Sequence, residues 1–351
     1  MSGPARSAAA DRAIADFLAA HGFGAAEARP LPGDASFRRY VRLVGGPRPA
    51  LLMDASGSHA VLPNGNPSPP EDVRPFARIA RHLLAASLSA PEILAEDPAR
   101  GLLLIEDFGE ATHAGLLDAG ADPVPLYTEA AEALAALHAA PPPAGLPAWD
   151  AAAMAGATAA TFLDWWWPAT FGAAPAPGVR ARLDAALAEM LAPFAGQRGF
   201  VHRDYFPANL MRLPDRTGPR RAGILDFQDA ALGHPAYDLV SLVEDARRDV
   251  PPAAREAAIA AYLAHRPGLD AEALAAAMAA HGAQRHLRVA ALWVRLARRD
   301  GKPGYLQHGP RCWAQLAGAL RHPACAPLAH FLDRHVPCEM RRNPVSLEVA
   351  A

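Results

Sequence analysis

Residues 200–213 read FVHRDYFPANLMRL and set His202, Arg203, Asp204 and Asn209 between two apolar runs. After the turn-forming LPDRTGPR, the stretch AGILDFQD brings Asp226 to the end of another apolar run, seventeen residues beyond Asn209. These residue types at this spacing suit phosphoryl transfer, in which a protein orients an attacking hydroxyl and holds a hard cation against phosphate oxygens. Asp204 is then the expected general base or hydroxyl clamp. Asn209 and Asp226 are the expected magnesium ligands, both offering hard oxygens. His202 reads as packing and hydrogen-bonding support for the loop rather than a proton shuttle. Asp238, in GHPAYDL, is expected to brace the catalytic loop or to cap the helix that follows it.

The elements that must position these groups change character along the chain. Residues 11 to 23 have the pattern of an amphipathic helix, followed by a short strand, a Gly-containing turn and an alternating strand through FRRYVRLV. RPALLMDAS predicts a further strand, EDVRPFARIARHLLAAS a helix, and APEILAED and GLLLIEDFGE two more strands. From about residue 107 the pattern is helical, with helices predicted at DPVPLYTEAAEALAALHAA, 180–195, 253–265 and 270–299, joined by Pro/Gly-rich loops. The expected fold is α+β and two-lobed: a small N-terminal antiparallel-sheet lobe at 1–106 that binds nucleotide, and a larger, mainly helical lobe at 107–351 that carries catalysis and substrate binding.

Composition narrows the partners. The chain has 351 residues, 51% of them hydrophobic, and a formal net charge of -2, enough apolar content for two packed lobes and no general basic field for nucleic acid or a membrane surface. The N-terminal residues carry acids and lack a continuous apolar core, and no window reaches 18 uncharged apolar residues, so a cytoplasmic location is expected. Cys312, Cys325 and Cys338 are widely spaced and read as reduced thiols rather than a disulfide or zinc framework. Lys302 is the only lysine among 34 basic residues.

The loop HRDYFPAN has the His-Arg-Asp-x-x-x-x-Asn spacing of the protein-kinase catalytic loop. With LDFQD and GHPAYDL it resembles the aminoglycoside phosphotransferase and choline kinase-like superfamily, a branch of the protein-kinase-like fold. GDASFRRYVRL, LLMDAS, PEILAEDPARGLLLIEDFG, FLDWWWP and RHLRVAALWVRLARRDGKPGYLQHGPR are similar to the anomeric kinases of N-acetylmuramate and N-acetylglucosamine in bacterial cell-wall recycling. The resemblance extends over nearly the whole chain. It implies ATP and Mg2+ as cofactors, a small-molecule amino sugar as acceptor, and a sugar 1-phosphate as product. An anomeric hydroxyl is more acidic than an ordinary alcohol, so Asp204 would orient it more than deprotonate it. The alternatives are another small-molecule kinase of the superfamily, of aminoglycoside, choline or homoserine type, or a nucleotide-binding pseudokinase.

Several further residues take expected roles on this reading. Gly33 would let backbone N–H groups approach the phosphates, with Ser36 at the tip of the turn. The strand ALLMD offers Met53 and Asp54 where a protein kinase has its phosphate-gripping lysine. Arg38, Arg39 and Arg42 are the candidates to substitute, and alternation puts Arg38 and Arg42 on one face; Arg38 is preferred. The backbone between Ile105 and Phe108, flanked by Glu106, is the expected adenine-binding hinge. In TFLDWWWPATF, three consecutive indoles cannot all face one core, and Trp165 with Asp164 is expected to meet the sugar. Arg285, Arg288, Arg295 and Arg299 share one arc of a helix that reads first as a solvated face; the functional alternative is that Arg285 meets the lactyl carboxylate of N-acetylmuramate.

Overall fold

A computed structural model describes residues 8–32, 38–56 and 71–348. The chain divides into two compact units, Met1–Gly115 with Leu210–Asp229, and Leu116–Asn209 with Ala230–Ala351. The first unit therefore takes in a segment that the simple division at residue 106 assigned to the second lobe. The physical reason is pairing: Ile224 N–H donates to Ser89 O at 2.7 Å, Arg212 N–H to Ala111 O at 2.8 Å, and the Phe227 ring packs on Phe76 with centroids 4.7 Å apart.

The first unit holds helix α1 (Ala8–Ala20), strands β1 (Glu27–Pro30), β2 (Arg39–Val44) and β3 (Ala50–Asp54), helix α2 (Arg74–Ala85), and strands β4 (Ile93–Asp97) and β5 (Leu102–Glu106). The strands form an antiparallel sheet in the order β1-β2-β3-β5-β4. Val41 and Leu43 of β2 are buried on a core with Phe17, Leu18 and Phe23, whereas Arg42 between them is not, the period-2 pattern of a strand with one covered face. Leu102 through Ile105 are all buried in β5, which lies between two neighbouring strands. Phe76, Ala77, Ile79, Ala80 and Leu83 give α2 one continuous apolar stripe. The hairpin Leu210–Arg212 and Ala222–Ile224 completes the unit, and Gly223 is required there because a Cβ would meet the Phe108 ring at 2.8 Å.

The second unit is mainly helical. Its core gathers Trp166, Phe162, Leu183, Leu187, Trp293 and Leu332, all with exposures of 1% or less. The helix predicted over 270–299 is present as Ala271–Arg299, started by the Asp270 carboxylate accepting from Ala273 N–H at 2.7 Å. Helices at Ala151–Thr161, Gly309–Ala319 and Ala326–His335 were not among those predicted. Between Ala151–Thr161 and Trp167–Phe171 the backbone makes a π turn, with Trp167 N–H bonded to Phe162 O. That one-residue insertion lets both Trp166 and Trp167 enter the core: Trp166 stacks on Phe162 at 4.9 Å, and Trp167 meets Phe171 at 4.8 Å. A small sheet orders Ala148–Trp149, Ala231–Gly233 and Gly199–Val201 side by side, and the last strand leads directly into His202. Cys312 and Cys325 are buried thiols and Cys338 an exposed one.

Candidate active site

The loop that follows Val201 is held by one buried carboxylate. Asp238 lies in the first turn of the helix Ala236–Val243, fully buried, and accepts from His202 N–H at 2.6 Å and Arg203 N–H at 2.8 Å. The N-cap of that helix is Pro235, which gives no side-chain bond, so the Asp238 carboxylate is directed at the loop amides rather than at its own helix end. Behind it, His138 Nε2 lies 3.4 Å from Asp238, and His138 Nδ1 is 2.8 Å from the Tyr262 hydroxyl. Burial pushes the His138 pKa down, with Asp238 acting in the opposite direction.

Pinned in this way, Arg203 takes φ of 77°, a left-handed conformation that a non-glycine residue adopts only under constraint. The turn delivers Asp204 to a half-buried position, and its own N–H donates to His202 Nδ1 at 3.3 Å. His202 is buried and its ring meets the Tyr205 ring edge-on. Tyr205 is buried too, and its hydroxyl donates to Ala130 O at 2.8 Å. Asn209 Nδ2 donates to Asp204 O at 2.9 Å, so the amide fastens the far end of the loop with its nitrogen.

Trp149 and Arg288, which the motif reading did not single out as site residues, stand beside Asp204. The Arg203 guanidinium lies over the Trp149 ring at 4.2 Å, and that of Arg288 is 5.9 Å from the same ring. Arg288 Nη2 donates to the Tyr237 hydroxyl at 3.0 Å. Burial works against the Arg288 charge, but the Tyr237 hydroxyl and the Asp204 carboxylate hold its pKa above the ordinary guanidinium value. The signal available in the sequence was the arc of arginines on the helix, without any indication of what each one faces.

In the first unit, Asp226 follows Ile224 and Leu225 with φ of 58°, and Gln228 Nε2 donates to its Oδ1 at 2.7 Å. Arg38, 8% exposed, makes a two-pronged ion pair with Glu71: Nε to Oε2 at 3.0 Å and Nη2 to Oε1 at 2.5 Å. Burial opposes the Arg38 charge, while Glu71, Tyr40 and Asp226 raise its pKa, which sets Arg38 within electrostatic reach of Asp226. Arg42 is committed elsewhere, to Asp107 at 2.6 Å and to Glu110. Met53 and Asp54 are fully buried, and Asp54 accepts from Ser56 N–H at 3.0 Å.

Glu106 pairs with Arg216 at 2.6 Å, and the Arg216 guanidinium also covers the Phe108 ring at 4.9 Å. Glu106 N–H donates to Glu92 O, whereas the Phe108 N–H has no hydrogen-bond partner among the described residues. Gly33 and Ser36 lie outside the described residues.

Two expected substrate residues sit together on the second unit. Asp164, on the π turn, pairs with Arg180 at the edge of a groove lined by Leu163, Pro168 and the loop Ala174–Gly178; Trp165 beside it is half-exposed. Arg285 corrects the solvated-face expectation. It is 2% exposed, and its Nη2 donates to Ser241 Oγ at 2.8 Å, because the buried helix Ala236–Val243 packs on the side of Ala271–Arg299 that periodicity alone assigned to solvent.

An amide oxygen on Asn209 and a carboxylate on Asp226 are hard donors of the kind Mg2+ accepts, and among the described residues no three His, Cys, Asp or Glu side chains gather into an all-protein metal cage. Mg2+ is typically held by one or two such protein oxygens together with substrate phosphates.

Residues 27–279 match the model of a family described as "Phosphotransferase enzyme family". An N-acetylmuramate/N-acetylglucosamine kinase of Caulobacter vibrioides is 39% identical over 95% of this chain and 98% of its own length. A kinase of the same name from Pseudomonas aeruginosa is 36% identical over 92% of this chain and 93% of its own length. Among solved structures, a microcompartment-associated aminopropanol kinase superposes with a TM-score of 0.57 at 19% identity, covering 92% of this chain and 98% of its own. Aminoglycoside phosphotransferase APH(4)-Ia gives 0.56 at 17% identity, covering 89% and 99%. These likenesses show the α+β, protein-kinase-like fold.

Proposed function

Because the chain belongs to the phosphotransferase enzyme family, and is therefore an enzyme of phosphoryl transfer, we propose that it moves the γ-phosphoryl group of ATP to the C1 hydroxyl of N-acetylmuramate or N-acetylglucosamine. Similarity to kinases of that name along almost the whole length of both chains supports the sugar. The observation that carries the reaction is the loop Val201–Asn209, whose strained turn is pinned by Asp238 so that Asp204 stands half-exposed at a fixed place.

Bound ATP with Mg2+ would supply the transferable group and the counter-charge for its oxygens. Asn209 and Asp226 would hold the metal ion. Asp204 would accept the hydrogen bond of the attacking hydroxyl, fix its direction, and take its proton as the new P–O bond forms and the bond from the γ-phosphorus to the bridging oxygen breaks, with ADP as the leaving group. The Phe108 N–H, with no partner among the described residues, is suited to an adenine nitrogen, and Arg216 supports the hinge by holding Glu106 and covering Phe108. Gly33 and Ser36 keep their proposed contact with phosphate, and Arg38 takes the place of the absent strand lysine. Asp164 and Trp165 are proposed to meet the sugar across the groove beside the π turn. The sugar 1-phosphate so formed belongs to the recycling of cell-wall amino sugars, a cytoplasmic process. Among the described residues no helix is long and apolar enough to cross a membrane.

One assay tests this reading. Purified protein is incubated with ATP, Mg2+ and separately N-acetylmuramate, N-acetylglucosamine, choline, homoserine and kanamycin, and the product is read by phosphorus NMR. An anomeric phosphate on either amino sugar is the expected result. Phosphate on another acceptor, or none at all, overturns it. Asp204→Ala should lower turnover by about 10²- to 10⁴-fold while ATP still binds.

A further inference from the structure

The patch beside Asp204 contains more hydrogen-bond donors than the described residues satisfy. Trp149 is 6% exposed, yet its Nε1 has no acceptor among the described residues, and Arg288 Nε is likewise buried without one. Arg288 is held at one end only, by the Tyr237 hydroxyl, and no carboxylate lies within ion-pair distance of it among the described residues. Arg203 lies over the same indole ring and immediately precedes Asp204 in the chain. Buried polar groups in a folded protein are normally paired, and a half-buried guanidinium with an open N–H edge is the group best shaped for a planar carboxylate.

We propose that Arg288, steadied by Tyr237 and backed by Trp149, binds a carboxylate carried by the acceptor. This deepens the function proposed above and rests on it. The two amino sugars differ by one group, the lactyl ether on C3 of N-acetylmuramate, whose carboxylate is carried on the ring at a distance from the hydroxyl that Asp204 would clamp. Arg288 is then the residue that discriminates between the acid sugar and the neutral one. Arg285, three residues earlier on the same helix, also has Nε and Nη1 buried without an acceptor among the described residues, but it is only 2% exposed and donates to Ser241, whereas Arg288 is half-buried and so the more accessible of the two. Fixing Arg288 through Tyr237 lowers the freedom it would lose on binding, which favours a rigid recognition of the acid.

The test compares acid and neutral acceptors in the intact enzyme and in Arg288→Gln. With the intact enzyme, N-acetylmuramate should exceed its lactyl carboxamide in kcat/KM by roughly 10- to 100-fold, the range of a hydrogen bond to a charged group. Arg288→Gln should erase most of that ratio by raising KM for the acid, and Arg288→Lys should restore part of it. Tyr237→Phe, which leaves the guanidinium in place but frees it, should shrink the ratio less than Arg288→Gln does. Equal losses on the acid, the carboxamide and N-acetylglucosamine would overturn the assignment and make Arg288 a partner of Asp204 alone. Turnover of N-acetylglucosamine without any use of N-acetylmuramate also overturns it, while leaving the anomeric-kinase reading intact. Failure of every amino sugar as acceptor sinks that reading and the assignment together.

Discussion

The Asp238 carboxylate spans the two consecutive amides that precede Asp204, taking His202 N–H at 2.6 Å on one oxygen and Arg203 N–H at 2.8 Å on the other. Both oxygens are used as acceptors, so an amide in their place would set an NH2 group against one of the N–H donors. Asp238→Asn is therefore expected to destabilise the fold by about 1.5–3 kcal/mol, the range for hydrogen bonds to a charged group. Because Arg203 is held at a strained φ by this contact, the turn should relax and carry Asp204 away, lowering kcat by about 10²-fold. Denaturant unfolding and steady-state kinetics check the two effects. A stable variant with normal kcat would remove Asp238 from the positioning of Asp204.

Arg38 and Glu71 are 33 residues apart in sequence and join the start of β2 to the approach to α2 with two hydrogen bonds. A protein kinase links the corresponding regions through a strand lysine and a helix glutamate, and here the strand position holds the buried Met53. Arg38→Ala should raise KM for ATP by about 10-fold or more and change KM for the sugar much less. Glu71→Gln, which leaves the cation but loosens its aim, should have the same sign and a smaller size. Unchanged KM for ATP in Arg38→Ala would show that nucleotide binds without this arginine.

Three buried histidines make stability depend on pH. Burial holds His113 at about 4, with Arg212 adding to the effect, and His281 at about 4, whereas His234, stacked on His281 with centroids 4.7 Å apart, falls to about 3 through burial and the neighbouring imidazoles. In the unfolded chain each titrates near 6.5, roughly the value of a free side chain. Below that pH the unfolded state takes up protons that the native state refuses, so stability is complete above about 6.5 and is lost as pH falls toward the native values. Each histidine contributes a slope of up to about 1.4 kcal/mol per pH unit in that window. Unfolding free energies at pH 7.5, 6.5 and 5.5 should therefore drop steadily, and His281→Gln should flatten the slope by close to one proton. A pH-independent stability across this range contradicts the neutral, buried state of these rings.

What the sequence made legible is whatever depends on near neighbours. The alternation of Val41, Arg42 and Leu43 gives the strand, the stripe Phe76, Ile79, Ala80, Leu83 gives the helix, and the spacing of Asp204 and Asn209 gives the loop, because each is a local periodicity. Partners brought together by tertiary packing were not legible. Glu71 lies far along the chain from Arg38, and Trp149 far from Arg203. Helical periodicity grouped Arg285 with Arg288, but only the packed helix Ala236–Val243 decides that the first is buried on Ser241 and the second reaches Tyr237. For the run Trp165–Trp167 the sequence said only that three consecutive indoles cannot all face one core; a π turn, invisible to a 3.6-residue period, is what turns Trp166 and Trp167 inward and leaves Trp165 half-exposed.

Gly233 offers a test of how tightly the indole at Trp149 must be placed. The strands Ala148–Trp149 and Ala231–Gly233 run side by side in register, and a Cβ on Gly233 would lie 2.7 Å from Trp149 O and 3.1 Å from Trp149 Cβ. The nearest atom is backbone, so it cannot swing aside as a flexible side chain would, and Gly233→Ala must part the two strands. Overpacking of this kind is expected to destabilise the protein by about 1–3 kcal/mol. The displacement should also move the Trp149 ring under Arg203 and Arg288, so that kcat/KM falls by more than Arg288→Gln alone would cause and Trp fluorescence shifts. A control substitution, Gly156→Ala, sits on an exposed helical face where an added Cβ meets nothing within 4 Å, and should be neutral or slightly stabilising. Wild-type stability and activity in Gly233→Ala would mean that this sheet yields without cost, and that the close approach of Trp149 to its neighbour is not needed to hold the ring.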